Sequence, residues 1–391
     1  MPEDLLLTLL FVAALAIGYL FGRQDRQSSS KPKAKAGVLA PEYFKGLSFL
    51  LNEKADEAIE VFIKALESNT ESVETHLALG SLFRRKGDVE RATRIHQNVL
   101  ARPDLDATQK SNVRLELARD YLTAGLLDRA ERLLKELAQE GGWHATAALE
   151  YLAGVFEKEK DWQSAFEIVE KLEPSEKNAR MAAHYLCELA DDAMAENDFV
   201  LARKHLKRAL EKDKDCVRAS LMLGKLEIAT ENYKEAIKAL KKVRDQDANF
   251  ISETLQMLKS AYEKLDSKAE LIEYLLACLK QEPAISIVLM LSNLMRENRS
   301  DKEAAAVISE YLKRKPSIKG LNRLIDFHIE HSSGAARENL TILRNFTEQL
   351  IVNKPVYRCE SCGMEAKSIY WNCPRCKNWG SMKPIHGLEG E

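Results

Sequence analysis

Neither sign of charge dominates this chain: 58 lysines and arginines stand against 60 aspartates and glutamates, a net charge of −2. Without a basic excess there is no nucleic-acid footprint at the level of the whole chain. Glycine and proline are sparse, at 17 and 10 of 391 residues. Runs rich in β-branched residues are few before residue 355, which predicts a helical protein and excludes a β-sandwich or barrel. A disulfide framework is missing too. Of seven cysteines, Cys187, Cys216 and Cys278 lie far apart among apolar neighbours and read as small buried hydrophobes in a reducing compartment. The motifs G-x-x-x-x-G-K-[ST], H-E-x-x-H and G-x-S-x-G do not occur, which excludes the enzymes built on them. Of eight histidines, only His328 and His331 fall within one helical turn, and they read as a satisfied or solvated pair.

What the chain does have begins with "MPEDLLLTLLFVAALAIGYLFGRQDR". Residues 5–21 are uncharged, with Thr8 as the clearly polar side chain. At about 1.5 Å per residue they span about 25 Å, the short end of a membrane crossing. A secretory signal needs a basic start, but Glu3 and Asp4 precede the run. A buried soluble helix would carry a polar stripe, and none is visible. Residues 1–22 therefore read as a transmembrane anchor. Arg23, Arg26, Lys31, Lys33 and Lys35 all follow the run, which predicts an N-terminus facing outward and the bulk of the chain in the cytoplasm. Gly18 and Gly22 form one G-x-x-x-G, which reads as chance small residues at the helix end. Residues 23–38, with "SSSKPKAKAG", read as a basic flexible linker.

From residue 39 to 352 one pattern recurs. A small residue is followed twelve positions on by alanine, and four further on by a bulky apolar residue. The passes are Gly46, Ala58, Phe62; Gly80, Ala92, His96; Ala118, Ala130, Leu134; Ala153, Ala165, Val169; Ala190, Ala202, Leu206; and Gly224, Ala236, Leu240. Weaker passes follow at Lys259, Leu271, Leu275 and at Ser292, Ala304, Ile308, and residues 318–352 form a degenerate ninth. Small residues at two fixed points let paired helices approach, and the bulky residue fills the gap. Turn residues fall between the helices, at Gly87-Asp88, Gly125, Lys160-Asp161 and Asn197-Asp198. One such unit cannot bury its apolar face alone, so neighbours must stack into a solenoid of about eight to nine repeats.

The pattern resembles the tetratricopeptide repeat over residues 39–317. The sixth unit, "VRASLMLGKLEIATENYKEAIKAL", carries Leu223-Gly224, Tyr233 and Ala236 at that family's spacing. The resemblance implies a groove lined by the first helix of each unit, and Arg84, Arg119, Arg218 and Lys225 are candidates to line it. The alternative is that they are ordinary solvated residues. The family's paired Lys and Asn clamp for a terminal carboxylate is not reproduced. "KHLKRALEKDK" and "KKVRDQD" interleave base with acid and read as solvated helix faces.

Residues 355–391 break the helical pattern. Cys359-x-x-Cys362 and Cys373-x-x-Cys376 leave ten residues between the pairs, a spacing that closes four thiolates around one metal ion, zinc or iron. Gly363 suits the tight turn after the first pair and Pro374 stiffens the second, while Lys377 departs from the glycine expected there. Tyr357, Tyr370, Trp371 and Trp379 supply apolar bulk. The knuckle pair resembles the rubredoxin and zinc-ribbon class. Four cysteines close the shell, which favours a structural role over electron transfer. Six Lys or Arg against four Glu in residues 354–391 discourage nucleic-acid binding. Pro355 leaves almost no linker, so the module is expected to pack on the array, as a terminal cap or as part of one binding surface.

The three parts in this order, with "MPEDLLLTLLFVAALAIGYLFGR" opening and "YRCESCGMEAKSIYWNCPRC" near the close, resemble the LapB family of lipopolysaccharide assembly proteins of Gram-negative bacteria. That resemblance implies an inner-membrane regulator rather than an enzyme. It implies an adaptor that helps the membrane protease FtsH degrade the deacetylase LpxC, restrained by a PbgA/YejM-type membrane regulator. It further implies links to lipopolysaccharide transport proteins. Homo-oligomers stay open, as do two alternatives: a general scaffold for synthesis and export complexes, or a rubredoxin-like redox protein.

Overall fold

A left-handed residue followed by a helix start recurs along the chain and sets its architecture. Gly87, Gly125, Lys160, Asn197, Glu231 and Asp266 all take φ between +53° and +88°. The aspartates that follow three of them, Asp88, Asp161 and Asp198, cap the next helix by accepting from its third N–H. Each such turn reverses the chain between two antiparallel helices.

The computed structural model describes residues 44–390 apart from 47, 50, 51, 53, 69–71, 282–283, 299–300 and 389. The expected anchor and linker lie outside the described residues. Among those residues, no helix is long and apolar enough to cross a membrane. Residues 44–49 are helical where described and precede α1 (Ala55–Ser68). Helix pairs follow: α2 (Val73–Arg85) with α3 (Val89–Leu100), α4 (Ala107–Thr123) with α5 (Leu127–Glu140), and α6 (Trp143–Glu159) with α7 (Trp162–Val169). Next come α8 (Glu176–Ala195) with α9 (Phe199–Lys212), and α10 (Val217–Ala229) with α11 (Tyr233–Gln246). A short 3-10 turn, Ala248–Phe250, leads to α12 (Ile251–Lys264) with α13 (Lys268–Gln281). The array ends with α14 (Ile285–Asn298), α15 (Asp301–Arg314), α16 (Ile318–Glu330) and α17 (Gly334–Val352). The chain forms two compact units that divide after His144.

The repeating alanine explains the packing. Ala58, Ala92, Ala130, Ala165, Ala202, Ala236 and Ala304 are all 0% exposed, each sitting where two helices meet. The small residue sixteen positions before the bulky one faces it directly. A Cβ on Gly46 would lie 2.7 Å from the Phe62 ring, on Gly80 2.4 Å from His96, and on Gly224 2.4 Å from Leu240. Gly224→Ala is therefore expected to destabilise the second unit by about 1–3 kcal/mol through overpacking against a fully buried leucine. Hydrogen exchange in the helices carrying Gly224 and Leu240 measures this, and protection equal to the parent would show that Leu240 repacks freely.

The C-terminal module is a three-stranded antiparallel sheet of β1 (Tyr357–Cys359), β2 (Glu365–Ala366) and β3 (Met382–Pro384), in the order β2-β1-β3. It does pack on the array, but not as a terminal cap. Against the end of the array it makes limited contacts: Lys367 Nζ donates to Asn353 at 3.2 Å, and Ile318 N–H to the Leu388 carbonyl at 2.9 Å. Its main contacts reach 104 to 222 residues back along the chain, onto the first helices of the repeats at α6, α8, α10 and α12. Aromatic contacts hold it there, with Trp379 against Tyr185 and Trp371 against Phe250.

Candidate metal centre and the surface that holds it

The two Cys-x-x-Cys turns face each other across the small sheet. After the first pair, Gly363 takes φ +71° and its N–H donates to the Cys359 carbonyl at 2.9 Å. After the second, Lys377 takes φ +58° and its N–H donates to the Cys373 carbonyl at 2.8 Å. Lysine thus adopts the glycine conformation, and both knuckles close alike. The four sulfurs lie within 4.8 Å of one another, with Cys359–Cys376 and Cys362–Cys373 at 3.7 Å. A tetrahedron with metal–sulfur bonds of about 2.3 Å has edges of about 3.8 Å, so the cluster fits one metal ion. Zinc and iron suit a four-sulfur shell equally well.

The electrostatics lead the same way. Burial opposes ionisation of Cys359, but Ser381 and the N–H groups of Cys362 and Ser361 outweigh it and bring the thiol down to about 6. The Met364 N–H favours the Cys362 thiolate, yet burial and the other three sulfurs push that thiol up to about 11. Four sulfurs this close cannot all ionise without a cation among them. With every position of the shell taken by protein sulfur, the ion would hold the knuckles together and leave no place for a substrate.

The ribbon is seated by two tryptophans. Trp379 donates from Nε1 to Glu157 at 2.8 Å. Its ring stacks on His184 at 5.0 Å and meets Tyr185 edge-on at 5.7 Å. Trp162 completes the cluster, 6.0 Å from Tyr185. Trp371 stacks on Phe250 at 5.7 Å, which places it and Ile369 against Val217 and Val243. Polar contacts fix the register: Tyr357 donates to Glu253 at 2.5 Å, and Lys383 pairs with Asp247. Burial, then the charges of Arg218 and Arg180, hold His184 at about 3, so its ring is neutral at physiological pH. Burial and the Glu157 carboxylate keep the Tyr185 phenol protonated, and it donates to that carboxylate. Glu157 thus accepts from one residue of the array and one of the ribbon. Sequence reading missed Glu157, His184, Tyr185 and Phe250, and the one available signal was the excess of tryptophan in so small a module.

The four candidate groove cations are not gathered into one site. Arg84 is spent inside the first unit, with Nη1 2.6 Å from Asp120 and Nη2 2.6 Å from Glu116. Arg119 shares Glu116 with it, also at 2.6 Å. In the second unit, Arg218 pairs with Glu188 at 2.7 Å and is 6% exposed. Lys225 is exposed and lines a separate cavity with Asp191 and Asp192. Cys187, Cys216 and Cys278 are buried, as expected of small hydrophobes.

Comparison with known proteins agrees with this division. Residues 357–384 match the LapB zinc ribbon, described as a rubredoxin metal binding domain. Residues 45–104, 115–179 and 193–265 match tetratricopeptide-repeat families. Lipopolysaccharide assembly protein B of Escherichia coli (strain K12) is 37% identical over 389 residues, covering 98% of this chain and 99% of its own. The protein of that name from Haemophilus influenzae (strain Rd) is 33% identical over 396 residues, again covering 98% and 99%.

Proposed function

The chain belongs to the lipopolysaccharide assembly protein B family, and from that premise we propose that it is a non-catalytic, inner-membrane-anchored adaptor in lipopolysaccharide assembly. The observation that carries the proposal is 37% identity over 98% of this chain and 99% of the relative, with the ribbon matched in its own right. In this reading residues 1–22 tether the array to the cytoplasmic side of the membrane, where the protease FtsH and its client LpxC meet on it. Tethering raises the effective concentration of the partners without any new contact. A PbgA/YejM-type regulator would act on the same anchored protein. Of the sequence candidates for partner contact, Arg84, Arg119 and Arg218 form ion pairs within the array, while Lys225 is exposed.

Deleting residues 1–22 is expected to leave a folded array and to lengthen the LpxC lifetime in cells several-fold. Pulse-chase of LpxC, with circular dichroism of the purified variant, checks both halves. Normal LpxC turnover with the untethered form would rule out an anchor-dependent adaptor.

A further inference from the structure

Beside the docked ribbon, the second unit holds a cavity of 670 Å³. One wall comes from α8, α10 and Phe250, the other from Trp371, Ser361 and Lys383 of the ribbon, so neither part makes it alone. Its floor is cationic and offers donors that the fold leaves unused. Arg218 is 6% exposed and engages Glu188 through Nη1. Arg180 forms no ion pair among the described residues. His184 is 3% exposed, and its Nδ1 has no hydrogen-bond partner. The 13-residue helix α10 begins in this wall, with Cys216 and Val217 lining the cavity, so a positive helix end lies at the same space. Phe250 and Trp371 supply an apolar side.

The rim has the opposite sign. Glu176, Glu211, Asp213, Asp215 and Glu360 also line the cavity, and none forms an ion pair among the described residues; of the lysines lining it, Lys212 pairs with Glu170 and Lys383 with Asp247, which leaves Lys214 as the one lysine offsetting these acids. A cationic floor within an anionic rim selects against an acidic tract, which the rim repels, and against a wholly basic one, which leaves the floor unanswered.

We propose that this seam binds a short peptide segment of a partner protein with a central Asp or Glu flanked by Lys or Arg. The carboxylate sits on Arg218, Arg180, His184 and the α10 N-terminus, and the flanking cations lie on the acidic rim. The inference rests on the adaptor reading for the partner being a protein. Its test is binding by purified protein, so it succeeds or fails separately from LpxC turnover.

Full-length protein in detergent is titrated against fluorescent pentapeptides of the form Lys-Leu-X-Leu-Lys, with X as Glu, Asp, Gln, Ala or Lys. Ser and Glu replace the flanking lysines in a second set, and Ala, Phe and Ser replace the leucines in a third. Peptides with central Glu or Asp and Lys flanks are expected to bind about tenfold or more tightly than their Gln or Glu-flanked counterparts. Arg180→Gln, at an exposed position, should remove that preference with the melting curve unchanged, and Arg218→Met should remove it too, with some loss of stability because Glu188 is left without its partner. A Glu176→Lys, Glu211→Lys double variant should lose the preference for Lys flanks while keeping that for the central acid. No binding across the panel, binding indifferent to X, or a preference that survives Arg180→Gln overturns the proposal.

Discussion

Stripping the metal with a chelator, or replacing Cys373 and Cys376 with serine, should unfold the ribbon and leave the array helical. The three strands are three, two and three residues long. Two of the four buried residues in the ribbon's own core, Cys359 and Cys373, are themselves candidate ligands, beside Tyr357 and Met382. A core that small cannot offset the entropy of ordering the chain. Structural metal binding contributes about 10–16 kcal/mol in comparable small modules, so its loss outweighs everything else the ribbon has. The helices keep their own buried alanine and leucine contacts and should keep their far-ultraviolet signal. Trp371 and Trp379 should become exposed, with a red shift in fluorescence, and amides of β1 and β3 should exchange freely. Ribbon amides that stay protected after metal removal would show that docking alone holds the fold.

The second large effect lies in the first unit. Asp120→Ala should destabilise that unit by about 3–5 kcal/mol, because it takes one of two carboxylates from the buried Arg84 and the acceptor from the buried His96. Asp120 is 0% exposed and accepts from Arg84 Nη1 at 2.6 Å and from His96 Nδ1 at 2.5 Å. His96 fills the bulky position of the second repeat, so a polar ring there depends on an acceptor reaching across from α4. Glu116 extends the network, accepting from Arg84, Arg119 and Ser81 at 2.6, 2.6 and 2.9 Å. Burial works against the Glu116 carboxylate, but Arg84 outweighs it and holds the group below the ordinary range. Its folded value is depressed, so this stability is present above the unfolded carboxylate value and is lost as pH falls through the folded one. With two compact units a single unfolding midpoint is ill-defined. Hydrogen exchange in α2, α3 and α4 is the measurement that isolates the effect. Protection there equal to the parent would show that the network contributes little beyond its own desolvation cost.

The repeat was legible because its signal is local and periodic. Gly80, Ala92 and His96 announce a helix pair within seventeen residues, and the structure places all three in contact or burial. The metal cluster was legible for a similar reason, since ligand spacing inside a knuckle is a property of a few consecutive residues. Cation roles were not. Arg84 looked free for a partner because its acids, Glu116 and Asp120, sit 32 and 36 positions on, in the first helix of the next repeat. A charge lying about one period from an opposite charge is the clue that would have found them. The ribbon's seat was harder still. Trp379 and Glu157 are 222 residues apart, and no periodicity joins a knuckle to a repeat.

That separation has a consequence for how the protein is made. Repeats fold from neighbour contacts, so the helices carrying Glu157, His184 and Tyr185 can be complete long before Trp379 leaves the ribosome. At about 5–20 residues per second, the intervening 222 residues take about 10–45 s to synthesise. For that time the aromatic seat stands open to solvent and to chaperones, and it closes only when the last segment is made and its knuckles have formed. A chain cut short anywhere before residue 371 never covers it. The ribbon is thus also a mark of completion, separating finished copies of the protein from truncated ones by whether a sticky aromatic surface has been sealed.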